Sequence, residues 1–198
     1  MRVVKYTHSC VRLEKDGGVL VIDPGVWSEP RALRGAAAVL VTHEHSDHAD
    51  VLRLAGLGVP VYAPAGADLP GLDVVALTPG ATVEVAGFTV TAVGARHATI
   101  YNGKPDCAHL GYLVDDLYHP GDSVHLPGVP VRTLLVPVHG TWLKGTEAID
   151  FLRAVDPEAA IGIHEAQLND RGLSSVNAWL AENHASYRYL APGDALPR

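Results

Sequence analysis

The chain has 198 residues, 47% of them hydrophobic and 19% charged, which is the composition of a globular protein and excludes a disordered one. This length predicts a single domain over residues 1–198, with ample apolar material for a core. The formal net charge of −7 and the lack of a Lys/Arg run count against nucleic acid as a partner, although bound dications could reverse the field inside a pocket.

Strands joined by tight turns dominate the first third of the sequence. The β-rich runs VRLE and VLVID flank KDGG, so residues 11–23 are predicted to form a hairpin. AAAVLVTH (36–43) is a continuous apolar run, which predicts a buried strand. Helical spacing predicts a helix from about residue 46 to 57, and VPVYAP (59–64) predicts another strand.

The remaining elements change from hairpins to strand–helix alternation. Residues 81–97 are predicted to form a hairpin around Ala86–Gly87, and residues 109–122 to form another with its turn at Asp115–Asp116. The later predicted elements are a strand at 133–140, a helix at 146–155, a strand at 159–164, a helix at 174–183 with Ser174 or Ser175 as N-cap, and a strand at 187–190. This order predicts an α/β fold in which two sheets are covered by helices.

The two cysteines and the N-terminus indicate the compartment. Cys10 and Cys107 form neither a CxxC pair nor a disulfide framework, so reduced cysteines are the favoured interpretation and a single bridge is the alternative. MRVVKYTHSC has no apolar signal core, and no apolar run reaches membrane-spanning length. We therefore expect a soluble cytoplasmic protein.

The stretch VTHEHSDHAD (41–50) places metal-binding residue types directly after a predicted buried strand. Alternation along the strand end puts His43 and His45 on one face, where two imidazoles can bind one cation. Asp47 and His48 follow and could hold a second cation close by, at coordination distances of roughly 2.0–2.2 Å. A polar loop with incidental histidines is the alternative, and the H-x-H-x-D-H pattern disfavours it.

HEHSDH (43–48) also matches the signature of the metallo-β-lactamase superfamily of binuclear metal hydrolases. VLVIDPG, ARHA, YHPGDS and IGIHEA resemble the other motifs of that superfamily, in the same order along the chain. The resemblance implies a four-layer αββα sandwich of two mixed sheets flanked by helices. It also implies two sets of metal ligands, with Asp122 bridging them: His43, His45 and His97 in one, and Asp47, His48 and His164 in the other. Taken singly, His97 could be a loop histidine, Asp122 a turn residue and His164 a strand-end histidine.

Three details narrow the resemblance within the superfamily. Asp122 stands where zinc β-lactamases carry Cys, which counts against a β-lactamase. His45 stands where flavodiiron-type oxidoreductases carry Glu, which counts against redox chemistry. YTHSCVRLEKDGGVLVIDPG (6–25) resembles the opening of the ascorbate-6-phosphate lactonase-like and N-acyl-phosphatidylethanolamine phospholipase D-like branch, although Thr7 replaces the usual Gly. The implied substrate is a phosphodiester or phosphorylated small molecule, or a lactone, ester or thioester, with a slight preference for the first group.

Histidines outside the implied ligand set are candidates for supporting roles. His8 could contact the site or substrate, or be structural, and His139 is the preferred proton donor or substrate contact. His119 is expected to orient the Gly-Asp motif. The remaining histidines are expected to be structural or on the surface: His109, His125 and His184.

Other residues near the predicted strand ends have two readings each. Asp23 could accept a hydrogen bond from a ligand imidazole and fix its orientation, or simply cap the turn before Pro24. Trp27 and Trp142 could form walls of the pocket or belong to the core. Tyr101 and Lys104 are weaker pocket candidates.

The predicted function is that of a cytoplasmic binuclear hydrolase, in which hydroxide held by two cations attacks a carbonyl or phosphoryl centre. Asp47 and Asp122 would supply the negative charge that holds the cations together, and His139 would protonate the leaving group. The His-rich ligand set favours zinc, and the carboxylates leave manganese or iron open. A nuclease and a metal-sensing module with little turnover are the alternatives. The expected partner is a small-molecule substrate; a homodimer is compatible with the resemblance, but the sequence identifies no surface for one.

Overall fold

The first of two mixed sheets contains six strands. The computed structural model describes residues 1–94 and 96–197. The strands of this sheet are β1 Arg2–Lys5, β2 Val11–Lys15, β3 Gly18–Ile22, β4 Ala38–Leu40, β5 Val61–Pro64 and β6 Val74–Leu77, adjacent in chain order. The first three are antiparallel, with Leu13 opposite Leu20, and β3 to β6 are parallel.

The second sheet contains seven strands and repeats this plan. Its strands are β7 Thr82–Val85, β8 Phe88–Gly94, β9 Leu110–Val114, β10 Leu117–His119, β11 Thr133–Pro137, β12 Ala159–Ile163 and β13 Tyr187–Arg188, also adjacent in chain order. The strands from β7 to β10 are antiparallel, whereas those from β10 to β13 are parallel.

Helices cover the outer face of each sheet, so the predicted four-layer αββα sandwich is confirmed. A short 3-10 helix, Pro30–Leu33, and α1, Val51–Ala55, pack against the first sheet. The second sheet is covered by α2, Gly145–Val155, and α3, Asp170–Asn183. Residues such as Leu20, Phe88 and Leu135 are fully buried and belong to the largest apolar cluster, which fills the core between the sheets.

Two helices differ from the sequence prediction. The helix predicted from residue 46 comprises only α1, because the amides of His48 and Ala49 both bond to the His45 carbonyl in a turn that precedes it. The helix predicted at 174–183 begins at Asp170, because Asn169 rather than Ser174 or Ser175 caps it by accepting a hydrogen bond from the Gly172 amide.

The three predicted hairpins, by contrast, are present at the expected turns. Cys10 and Cys107 are both free, so they form no bridge with each other. Among the described residues, no helix combines the length and apolar character needed to cross a membrane.

Strand direction gathers the polar loops at one edge of the sandwich. In the first sheet β1, β3 and β4 run in the same direction, and in the second β8, β10 and β12 do so. The amide of His164, after β12, donates to the carbonyl of His8, after β1, so the carboxyl ends of both sets meet. The segments that carry the predicted ligands therefore converge although they are distant in sequence.

Candidate metal centre

One cluster of metal-binding side chains consists of His43, His45, His97 and Asp122. Each contributes one potential ligand atom, and these atoms all lie within 4.8 Å of one another. His43 Nε2 is 3.0 Å from His45 Nδ1, and His97 Nε2 is 3.3 Å from Asp122 Oδ2. The structure thus brings together the three histidines that the resemblance assigns to one cation.

A second cluster consists of His8, Asp47, His48 and His164, with ligand atoms within the same 4.8 Å limit. Three of these are the residues implied for the other cation, and His8 is an addition. His8 Nε2 lies 3.1 Å from Asp47 Oδ2, and burial is the main cause that lowers the pKa of His8 to about 4. His8 is therefore an uncharged member of this cluster at neutral pH.

Asp122 lies between the two clusters. Its Oδ1 is 3.0 Å from His48 Nε2, and its Oδ2 is 3.0 Å from His164 Nε2, while the same oxygen is near His97 in the first cluster. A carboxylate that faces nitrogens of both clusters has the position that a bridging ligand requires.

The unpaired atoms of these residues test whether the site suits a metal. His48 Nε2, His97 Nε2 and Asp122 Oδ1 are buried and form no well-aligned hydrogen bond with a described residue, although His48 Nε2 and Asp122 Oδ1 are 3.0 Å apart. Leaving such atoms unpaired costs roughly 1–3 kcal/mol each. The opposite nitrogens are engaged, since His97 Nδ1 bonds to the Ala98 carbonyl at 2.7 Å and His48 Nδ1 to Asp23. The free Nε2 atoms therefore converge with carboxylate oxygen, a donor set that fits divalent cations.

The pKa values of His43 and Asp122 are shifted in the direction that metal binding requires, towards a neutral imidazole and an ionised carboxylate. Burial and the charge on His48 hold the pKa of His43 well below its usual value. Although burial opposes it, the charges on His48 and His164 hold the pKa of Asp122 well below the ordinary range of a carboxyl group. His48 is the exception, because Asp122 and Asp23 outweigh burial and hold its pKa well above the usual value. A cation would therefore have to displace a proton from His48.

Asp23 makes the contact with a ligand imidazole that the sequence suggested. It is fully buried at the end of β3, and its Oδ2 lies 2.7 Å from His48 Nδ1. Both Asp23 oxygens also accept hydrogen bonds from Thr42, one from the amide and one from the hydroxyl, each at 2.7 Å. This carboxylate is held from three directions and fixes the orientation of the His48 ring.

Two further histidines support the loop that carries Asp122. His119 Nδ1 accepts a hydrogen bond from the Gly121 amide at 3.1 Å, in agreement with its predicted orienting role. His109 was expected to be structural or on the surface, and it has a structural role: it is buried beside the site, and its Nε2 accepts from the Asp122 amide at 3.0 Å. Its signal lay in its position directly before β9, whose first residue, Leu110, pairs with Gly94 at the end of the strand that precedes His97.

The two tryptophans flank the clusters. Trp142 is half-buried and donates from Nε1 to Asp122 Oδ2 at 3.1 Å. Trp27 is 43% exposed, and its ring meets the His8 ring edge-on at 4.8 Å. Both side chains thus lie at the site rather than in the core, as one of the two alternatives from the sequence has it.

Other pocket candidates lie outside both clusters. His139 is half-buried after β11, and its pKa is lowered by burial and then by the charge on His164. Tyr101 is 81% exposed, and the Tyr101 and Lys104 amides and carbonyls bond to each other in a turn of their own. The structure therefore leaves His139 near the site but not joined to it.

Most of the chain matches a known protein family. Residues 2–164 match the family described as "Beta-lactamase superfamily domain". The chain is 38% identical over 179 residues to Protein Rv0786c of Mycobacterium tuberculosis, covering 84% of each protein. It is 27% identical over 186 residues to the UPF0173 metal-dependent hydrolase TV0864 of Thermoplasma volcanium, covering 83% of each. Among solved structures it resembles Igni18, a novel metallo hydrolase from Ignicoccus hospitalis, with a TM-score of 0.77 and 18% identity over 98% of this chain and 97% of the other.

Proposed function

The chain belongs to the beta-lactamase superfamily, and on that premise we propose that it is a hydrolase whose active site holds two divalent cations. The observation that carries the proposal is the position of Asp122, whose carboxylate faces the nitrogens of both clusters. Relatives such as the Thermoplasma volcanium protein are named metal-dependent hydrolases, which supports the same class of activity.

The proposed ligands are seven residues of the two clusters, and His48, His97 and Asp122 among them carry unpaired buried atoms. His43, His45 and His97 would hold one cation and Asp47, His48 and His164 the other, with the Asp122 carboxylate available to both. Zinc is the proposed metal, because nitrogen donors dominate the set, and manganese or iron are the alternatives to be compared with it. When bound, such a pair would supply hydroxide near neutral pH and polarise the carbonyl or phosphoryl oxygen of the substrate.

The side chains of this protein provide charge, orientation and a proton. Asp47 and Asp122 offset the charge of the cations, and Asp23 holds His48 in place. His139 is the proposed proton donor to the leaving group, because it follows β11 at the same sheet edge where His164 follows β12, with Pro137 paired to Ile163. Burial, and then the charge on His164, lower the pKa of His139, so this contribution grows as the pH falls, because only the protonated imidazole can donate.

The proposed substrate is a small molecule with a phosphodiester, phosphorylated or carboxylic ester group, lactones included. Trp27 and Trp142 offer aromatic surface on either side of the clusters, against which the apolar part of such a molecule can pack. Two cationic side chains lie within three residues of a cluster residue: Arg96 adjoins His97 but is 89% exposed and 3.8 Å from Asp106, and Lys5 is buried and paired with Glu165. The two metal ions, rather than lysine or arginine side chains, are therefore proposed to bind the phosphoryl or carbonyl oxygen of the substrate.

Metal analysis followed by a substrate panel tests the proposal. The purified protein is loaded with zinc, manganese or iron, its metal content is measured, and it is offered phosphodiesters, lactones and thioesters. We expect two equivalents of metal and turnover of one substrate class. Full metal content in the His43→Ala variant would show that the ligand assignment is wrong, and a fully loaded protein that turns over no substrate would favour a sensing role.

A His139→Ala variant tests the proton donor separately. We expect it to keep both metals and to lose hydrolysis of substrates with poor leaving groups, while activated substrates are cleaved at nearly the original rate. Unchanged rates on both kinds of substrate would remove His139 from the mechanism.

A further inference from the structure

We propose that His8 is a positioning residue for the second cluster. His8 donates a hydrogen bond from Nε2 to Asp47 and holds that carboxylate towards the cation, and it is not a ligand itself. The inference rests on the proposed function, since it assumes a cation at Asp47. It adds a residue from the first loop of the chain to a site whose implied ligands all follow residue 42.

The hydrogen bonds of His8 determine which of its nitrogens carries the proton. The Ala166 amide donates to His8 Nδ1 at 3.3 Å, so Nδ1 must be the acceptor nitrogen. In a neutral imidazole the other nitrogen then carries the proton, and that nitrogen lies 3.1 Å from Asp47 Oδ2. If Nε2 instead bound a cation, the proton would move to Nδ1 and face the Ala166 N–H. The geometry therefore favours a donor over a ligand.

The backbone of His8 is held by groups from both sheets. The amide of His8 donates to Glu165 Oε1 at 2.9 Å, and the His8 carbonyl accepts from Lys5 Nζ at 2.9 Å and from the His164 amide at 3.2 Å. Lys5 is buried and forms an ion pair with Glu165 at 2.9 Å. These bonds hold His8 at φ 66°, a left-handed conformation that costs a non-glycine residue of order 1 kcal/mol or more. The loop is thus built to keep this ring in one place.

The Asp47 carboxylate is held by fewer hydrogen bonds than the Asp23 carboxylate. Within residues 1–94 and 96–197, His8 is the only group that hydrogen-bonds to the Asp47 carboxylate, whereas Asp23 accepts three such bonds. Asp47 lies in the turn before α1 rather than in a helix or strand, and its side chain is 19% exposed. Without the bond from His8, the carboxylate would be free to rotate away from the cluster, and the second cation would lose a ligand.

Two substitutions of His8 separate the donor from the rest of the ring. In His8→Gln the amide nitrogen reaches the place of Nε2, so the donor to Asp47 is retained. In His8→Asn the side chain reaches only the place of Nδ1, so the acceptor for Ala166 is kept and the donor is lost. Asparagine also tolerates a left-handed backbone well, which favours folding of the variant that is expected to fail.

The readouts are metal stoichiometry, affinity of each equivalent against a competing chelator, and the absorption spectrum of the cobalt-substituted protein, with circular dichroism as the check of folding. We expect His8→Asn to bind the second equivalent about 10–100-fold more weakly, with the first unchanged and the cobalt bands of one site altered. We expect His8→Gln to restore most of the lost affinity. Wild-type affinity for both equivalents in His8→Asn would overturn the proposal.

A double-mutant cycle keeps the proposal testable if His8→Gln is weakened by its backbone conformation. If His8 acts through Asp47, His8→Asn has no further effect on metal binding in an Asp47→Ala background. An additional loss equal to that of the single variant would show that His8 binds the metal directly and would overturn the positioning role. A wild-type protein that binds fewer than two equivalents would overturn the proposed function as well as this inference.

Discussion

Gly25 lies where no side chain can fit, directly beside the backbone of the Asp47–His48 segment. A Cβ added to Gly25 would lie 1.8 Å from the Asp47 carbonyl oxygen, 2.0 Å from its carbonyl carbon and 2.6 Å from the His48 nitrogen. Real Cβ atoms essentially never approach other heavy atoms within 3.0 Å. All three atoms belong to one peptide, so no side-chain rotation can relieve the overlap.

Gly25→Ala is therefore expected to displace this peptide by roughly 1 Å, from 1.8 Å to at least 3.0 Å of separation. Metal–ligand distances tolerate errors of only about 0.2 Å, so the displacement is several times larger than the site allows. Both Asp47 and His48 belong to the second cluster, whereas none of the three atoms nearest to the added Cβ belongs to His43, His45 or His97. We expect the second equivalent of metal to be lost while the first is retained, at a cost in folding stability of about 1–3 kcal/mol.

The assay is metal content after dialysis, combined with urea unfolding of the metal-free protein. Gly145→Ala is the matched control, because its added Cβ meets no atom within 4 Å and Gly145 lies in the first turn of α2. The control should keep both metals and be at least as stable as the original, since alanine favours a helix over glycine by about 1 kcal/mol. Two bound equivalents and full activity in Gly25→Ala would refute the steric argument.

Three further predictions concern other parts of the molecule. Asp23→Asn removes the negative charge and one acceptor oxygen behind His48, so the second equivalent of metal should bind about 10–100-fold more weakly in chelator competition; unchanged affinity would mean that Asp23 only caps its turn. Leu135→Ala opens a cavity in the fully buried core between the sheets and should lower the free energy of unfolding in urea by roughly 2–5 kcal/mol without changing metal content. A decrease below about 1 kcal/mol would contradict the packing described. Metal uptake by the apoprotein should release a proton and weaken as the pH falls, because His48 has a raised pKa and must deprotonate to bind. Calorimetric titration in buffers of different ionisation enthalpy measures this release, and a binding enthalpy independent of pH and buffer would contradict the prediction.

Local sequence patterns predicted the features that depend on neighbouring residues. The turns at Ala86–Gly87 and Asp115–Asp116 lie where expected because residues with φ near +50° or above occur there, and such turns are determined by residues adjacent in sequence. The burial of β4 follows in the same way from its continuous apolar run. The prediction that the helix starts before residue 51 was wrong. The His45 carbonyl accepts hydrogen bonds in a turn that shapes this segment, and the spacing of apolar residues does not indicate such a turn.

The sequence by itself determined the fold class and the seven residues that the resemblance implies as ligands, and the structure gathers those seven in two adjoining clusters. Only the tertiary structure decided which side chains support them. His8 meets Asp47, His109 meets the Asp122 amide and Trp142 meets the Asp122 carboxylate across loops from different strands. Periodicity reports whether a residue faces a core, but a hydrogen bond between loops depends on strand direction, register and the packing of two sheets. Those are properties of the whole fold, so these partners could be identified only once both sheets were in place.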